Sequence, residues 1–239
     1  MEISNKFKNI SKAFIAAVTI SVALSACSKR NDPQSVPATV VSVVNASPNV
    51  KELDFIIGGQ RWNTDPFKFG TTLDYVGFYP GAFRIGIVER GKNTYLLSKD
   101  LVYQASKYYS TFLIDTGTNR SFLTVIDNLD SPATSTKARV RFLNLSPDAS
   151  PLILAVKGGT TDLFTNKAYK ATTAFTEVEA GDNVAFEIKD NATKAVLATV
   201  PGTKLEQGKY YTIYAKGYKD KSDTDPLKFG ANIYIAKNK

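Results

Sequence analysis

Along much of this chain apolar and polar residues alternate with a period of two, most clearly in Phe83-Arg84-Ile85-Gly86-Ile87 and Val184-Ala185-Phe186-Glu187-Ile188-Lys189. Such alternation sets one face of a strand on a core and the other in water. Further strand-like segments lie at 39–44, 53–57, 73–79, 94–97, 108–114 and 122–126, and again at 138–143, 152–156, 173–178, 195–200, 210–215 and 231–236. With turn residues between them, they amount to about seven strands in each half. No amphipathic helix is visible after residue 27. The pattern predicts an all-β chain of two tandem immunoglobulin-like β-sandwich domains, at 39–130 and 137–239, separated by a short polar linker around Ser131-Pro132.

The halves repeat one another. Asn45-Ala46-Ser47-Pro48-Asn49 returns as Asn144-Leu145-Ser146-Pro147-Asp148 at an offset of 99, and Gly58-Gly59 as Gly158-Gly159 at 100. Phe83, Ile85 and Ile87 return as Val184, Phe186 and Ile188 at 101, and Lys107-Tyr108-Tyr109 as Lys209-Tyr210-Tyr211 at 102. An offset that creeps by one residue at a time is the mark of small loop insertions between matching strands. The Asn-x-Ser-Pro element closes a strand both times: proline has no N–H for the ladder, while Asn and Ser side chains bond nearby backbone and set a turn. The Gly-Gly pairs are expected at hairpins, where positive φ is needed. No helix follows either pair, so neither is a phosphate cradle.

The first 27 residues have a different character. Lys6, Lys8 and Lys12 precede an uncharged run from Ala13 to Leu24, which is followed by small residues and Cys27, the single cysteine of the chain. Basic, then apolar, then small is the order of a secretory signal peptide, here 1–26, and the run is shorter than the roughly 20 residues of a membrane-spanning helix. Leu24-Ser25-Ala26-Cys27 resembles the lipobox of bacterial lipoproteins. That resemblance implies signal-peptidase recognition of Leu24, Ser25 and Ala26, cleavage before Cys27, and acylation of Cys27, which becomes the anchor in the membrane. Residues 27–38, polar and with Pro33 and Pro37, then form a tether. Ser28-Lys29-Arg30-Asn31-Asp32 is basic first, unlike the acidic run that follows the cysteine in some surface-exposed lipoproteins of Bacteroidetes type. An outer-membrane lipoprotein of the bacterial envelope is expected, with the periplasmic side favoured over the surface.

Composition narrows the chemistry. The formal charge of +8 is spread over the chain, with basic residues interleaved with acids as in Lys219-Asp220-Lys221, and it marks a solvated surface, not a nucleic-acid track. There is no histidine, and Cys27 is committed to lipid. The commonest general base, the commonest metal ligand and any disulfide are thereby absent, so no catalytic residue, metal or cofactor is expected. Asp54, Asp74, Glu177 and Glu179 lie in or beside strands, but nothing in their spacing sets two of them across a cleft as a glycoside hydrolase needs.

The least routine stretch is Trp62-Asn63-Thr64-Asp65-Pro66-Phe67-Lys68-Phe69-Gly70, which sets three aromatics in a connection. Trp62, Phe67 and Phe69 are the candidate binding loop for a protein or glycan ligand, because exposed aromatics stack on sugars and anchor partners. The competing expectation is that they fold over the open edge of their own sandwich. In each Tyr-Tyr pair one ring is expected in the core with its hydroxyl on backbone, as in a tyrosine corner, and its neighbour in water.

Arg141-Phe142-Leu143-Asn144-Leu145-Ser146-Pro147-Asp148-Ala149, the Gly-Gly pair, and Lys209-Tyr210-Tyr211-Thr212 together resemble the DUF4397 family of bacterial envelope proteins. The resemblance extends over most of the chain after Cys27, more clearly in its second half. It implies secreted or lipid-anchored β-sandwich modules, often in tandem, with no assigned activity and no functional residues to carry over. The sequence thus predicts a lipid-anchored, non-catalytic binding or scaffolding module, with a structural spacer as the alternative and a carboxylate-dependent hydrolase as the least supported reading.

Overall fold

The alternating segments become eight strands in each half. The computed structural model describes residues 37–129 and 135–236. The leader, the lipobox residues Leu24, Ser25, Ala26 and Cys27, the tether as far as residue 36 and linker residues 130–134 lie outside the described residues. The first half contains β1 (Thr39–Asn45), β2 (Leu53–Ile57), β3 (Gln60–Arg61), β4 (Thr72–Phe78), β5 (Gly81–Glu89), β6 (Tyr95–Tyr103), β7 (Tyr108–Ile114) and β8 (Ser121–Ile126). The second contains β9 (Lys137–Asn144), β10 (Leu152–Val156), β11 (Asp162–Lys167), β12 (Thr176–Glu179), β13 (Gly181–Asp190), β14 (Val196–Leu205), β15 (Tyr210–Lys216) and β16 (Gly230–Ala236). The count exceeds the expected seven because β3 and β11 are mostly exposed edge strands with little apolar alternation of their own. Among the described residues there is no α-helix.

Two four-stranded sheets make up each half. Their orders are β4-β1-β7-β8 with β3-β2-β5-β6, and β12-β9-β15-β16 with β11-β10-β13-β14. Adding eight to every label of the first half gives the second, so the repeat seen in sequence is a repeat of topology. In both halves the first strand runs parallel to the seventh, β1 with β7 and β9 with β15, and the other pairings are antiparallel. The described part of the chain is thus all-β and built of tandem β-sandwiches.

The sandwiches are stacked sheet to sheet. Val41, Val43, Tyr109 and Leu113 of one inner sheet pack on Leu53, Phe55, Ile85 and Ile87 in the first core. Val140, Phe142, Tyr211 and Ile213 pack on Leu152, Leu154, Phe186 and Ile188 in the second. A third apolar cluster joins the halves: Val44, Ala46, Phe112 and Ile114 meet Leu143, Leu145 and Tyr214, all essentially buried. Strands β1, β7, β9 and β15 are therefore covered on both faces, which is why β1, β7 and β15 read as near-continuous runs such as Tyr-Tyr-Thr-Ile-Tyr-Ala, while β9 still alternates through Arg139 and Arg141.

Double coverage also decides the tyrosine pairs. Tyr109 and Tyr211, the second member of each, face their own cores, and each hydroxyl accepts the backbone N–H five residues upstream, Gln104 N at 3.0 Å and Glu206 N at 2.8 Å. The neighbour was expected in water, but Tyr210 is fully buried, because the opposite sandwich covers that face. Tyr108 packs in the same cluster and is half-buried.

The Asn-x-Ser-Pro elements are structural in both copies. Asn45 Nδ2 donates to Phe67 O at 2.8 Å while its Oδ1 accepts Ser47 N at 3.1 Å. Asn144 repeats this with Lys167 O at 3.0 Å and Ser146 N at 3.2 Å. Ser47 and Ser146 then donate to the carbonyls of Asp115 and Gly217, just after β7 and β15. Gly58 and Gly59, with φ of 56° and 81°, form the two-residue turn between β2 and β3, the geometry of a type I′ hairpin.

Candidate binding site

The aromatic connection is held rigidly. Asn63 Oδ1 accepts Phe55 N at 2.6 Å, and its Nδ2 donates to Asp54 Oδ1 at 2.9 Å and Asp65 O at 2.7 Å. Arg90 closes the far side, donating to Thr64 O at 2.9 Å and lying 3.3 Å from Asp54. Asp54, one of the four strand carboxylates, is thus buried as the anchor of this loop.

The three candidate aromatics part company. Phe67 is fully buried, edge-on to Phe55 with 6.2 Å between ring centroids. Phe69 turns to the second sandwich, where Lys216 Nζ sits 4.3 Å from its ring centroid; burial lowers the Lys216 pKa. Gly70 O beside it accepts from Asn232 Nδ2 at 3.1 Å, so this end of the loop joins the two halves. Trp62 and Phe69 are both partly exposed, and of the three Trp62 is the one that lines a pocket. It lies tilted on Phe55 at 5.8 Å and edge-on to Phe78 at 5.7 Å, and it walls a shallow pocket of about 370 Å3.

That pocket lies at the open edge of the first sandwich, between β3 and the edge strand β4 of the facing sheet. Ile57, Trp62, Val76, Phe78 and Phe83 supply apolar and aromatic surface, while Gln60 and Arg61 supply amide and guanidinium donors. Its volume falls in the ordinary range for ligand sites, and a mainly apolar lining with a few polar groups is their usual composition. Val76, Phe78 and Phe83 belong to this site although sequence reasoning placed them only in strands. The signal was the alternation itself, which puts Phe78 and Phe83 inside the sandwich but cannot say that its edge stays open there.

The remaining carboxylates stay apart from the pocket. Glu177 and Glu179 lie on edge strand β12 against Arg139 at 3.1 Å and Lys137 at 3.0 Å, in the other sandwich. Asp74 lies exposed on β4. Among the described residues, no cluster of three or more acidic, histidine or cysteine side chains is arranged to hold a metal ion.

The family described as "Domain of unknown function (DUF4397)" matches residues 39–155, and a DUF4397 domain is present there. The match takes in Arg141–Ala149 but ends before Gly158-Gly159 and Lys209–Thr212, so it spans the first sandwich and the opening strands of the second. Comparison with curated proteins finds no match. Among solved structures, an alpha-glucan-binding streptococcal virulence factor shares 13% identity over 74% of this chain and 92% of its own, with a TM-score of 0.27. A family CBM26 module of Eubacterium rectale Amy13K, solved with maltoheptaose, shares 9% over 83% and 98%, with a TM-score of 0.26. Family 41 carbohydrate-binding modules from streptococcal virulence factors share 15% over 80% and 96%, also at 0.26. Likenesses with TM-scores this low carry no argument about the ligand of this chain.

Proposed function

We propose that this is a lipid-anchored, non-catalytic binding module of the bacterial cell envelope, tethered through Cys27, whose pocket at Trp62 takes a glycan. The observation that carries the reading is the Trp62 pocket: an indole and two phenyl rings beside an amide and a guanidinium, on a rigidly braced loop, suit the apolar face and hydroxyl rim of a pyranose. Trp62 is the single tryptophan of the chain, so its emission reports this site alone. Titration with maltoheptaose, cellohexaose and chitohexaose should give a saturable change in that emission with at least one of them. By calorimetry, Trp62→Ala should weaken the same ligand about tenfold or more, since truncating an aromatic anchor at the centre of a binding site typically costs about 2 kcal/mol or more. Flat titrations with all three would sink the glycan assignment.

Anchoring is tested separately. The wild-type protein should fractionate with the outer membrane and Cys27→Ala should be released from it; retention of the variant in the membrane fraction would remove the lipid from the account. A spacer role is the second reading, favoured by Phe67 and Phe69, which the fold consumes in the first core and in the joint between halves.

A further inference from the structure

A second cleft opens where the two sandwiches meet. It measures about 310 Å3 and is lined by Val125, Ile126 and Asn128 from the end of β8, Arg139 and Arg141 of β9, and residues 172–175 before β12. Arg139 and Arg141 alternate on β9 with Ala138, Val140 and Phe142, so both guanidinium groups leave the second core on the side that faces the first sandwich. Arg141 is the buried floor. Its Nη2 lies 2.6 Å from Asp127 and donates to Ser110 Oγ at 2.9 Å, and its Nε donates to Thr212 Oγ1 at 2.9 Å.

Arg139 is differently placed. Nη2 meets Glu177 Oε1 at 3.1 Å, and the guanidinium carbon stands 5.8 Å from the Tyr210 ring centroid, yet the buried Nε has no hydrogen-bond partner. A buried guanidinium N–H left without an acceptor is unusual and calls for one. Glu177 is half exposed and free to swing into water, whereas Asp127 is fully enclosed. Charge decides the ligand class. Two arginines against Asp127 and Glu177 sum to zero, and displacing Glu177 leaves one positive charge. One monoanion therefore balances the cleft, and a phosphate dianion would not.

We propose that this cleft binds a small carboxylate monoanion of sugar-acid size, its carboxylate taking the Arg139 fork in place of Glu177 and its ring lying against Val125 and Ile126. A planar carboxylate meets the guanidinium side on through Nε and one Nη, the geometry in which arginine is superior to lysine. Binding here is independent of the Trp62 pocket, and neither result decides the other.

Calorimetry on the full chain in detergent micelles should show saturable binding of glucuronate or galacturonate, with glucose and galactose at least about tenfold weaker. Arg139→Lys keeps the charge and loses Nε, and should weaken the sugar acid about tenfold. Glu177→Gln removes the competing carboxylate from an exposed edge position and should tighten binding several-fold. Should Arg139→Lys fail to fold, the Glu177→Gln result still carries the test. Absence of binding by either sugar acid, inorganic phosphate binding as tightly as they do, or weaker binding by Glu177→Gln would each overturn the proposal.

Discussion

Asp127→Ala should lower the stability of the protein by about 3–5 kcal/mol, the loss typical of stranding one partner of a buried ion pair. Roughly 10 °C of Tm would follow for a folded part of this size. Asp127 and Arg141 are both buried, and the pair bridges the two sandwiches. Around them Tyr75 and Ser110 donate to Asp127 Oδ2 at 2.7 and 2.9 Å, and Tyr234 donates to Ser110 Oγ at 2.9 Å. Burial drives the Tyr75 and Tyr234 hydroxyls above their ordinary pKa, which keeps them protonated as donors. Removing the carboxylate leaves the nearly buried Arg141 guanidinium with only the neutral hydroxyls of Ser110 and Thr212 to accept from it, at the floor of the cleft and without a countercharge. The double change Asp127→Ala with Arg141→Ser should recover most of the loss, since Ala236 and Ser42 already occupy the equivalent positions of the repeat. Thermal and urea denaturation of the four proteins completes the double-mutant cycle. A double variant no more stable than Asp127→Ala would show that the joint depends on the individual groups and not on their pairing.

Strands and repeat were legible in the chain because both are written in short-range pattern. Ile85 and Ile87, like Phe186 and Ile188, announce their own core face, and Asn45 and Asn144 act within hydrogen-bonding reach of the turns they set. The joint between halves was not legible in the same way, although it left a trace. Val40 to Val44, Phe112 to Ile114 and Tyr210 to Ala215 lack a polar face, and a strand without one is a strand covered twice. Arg139 and Arg141 worked against that inference: at every second position of β9 they look like a wet face. Only a carboxylate brought from the far end of the first sandwich, Asp127, makes one of them an interior group. The Trp62–Gly70 stretch shows the same limit at a candidate site. Its aromatic density is plain in sequence, but whether a ring ends in the core, in the joint or at a pocket depends on what stands opposite. Phe55, Lys216 and Phe78 decide that for Phe67, Phe69 and Trp62, and none of the three is near its partner through any local pattern.

Expressed separately, residues 38–131 and 136–239 should each fold and, on mixing, should pair with one another in preference to themselves. Each half owns a complete core between its two sheets, so folding does not require the partner. What each would expose alone is a doubly used inner sheet, with Val44, Phe112 and Ile114 on one side and Leu143, Leu145 and Tyr214 on the other, an apolar surface that favours association. The joint brings equivalent positions together, since Phe112 and Tyr214 match in the repeat and their centroids lie 6.0 Å apart. Such a face is geometrically suited to a symmetric pair, but its polar groups are not. Arg141 stands where the first half has Ser42, Asp127 where the second has Ala236, Tyr75 where it has Phe175, and Tyr234 where the first has Val125. Two second halves facing each other would bury two arginines and no carboxylate, and two first halves would bury two aspartates and no arginine. A buried charge without its partner costs about 3–5 kcal/mol, so the mixed pair should win by on the order of a hundredfold or more. Native mass spectrometry of the mixture checks this directly. Equal amounts of mixed and like pairs would mean that the apolar cluster alone governs the joint, and unfolded halves would mean that the two sandwiches are one folding unit.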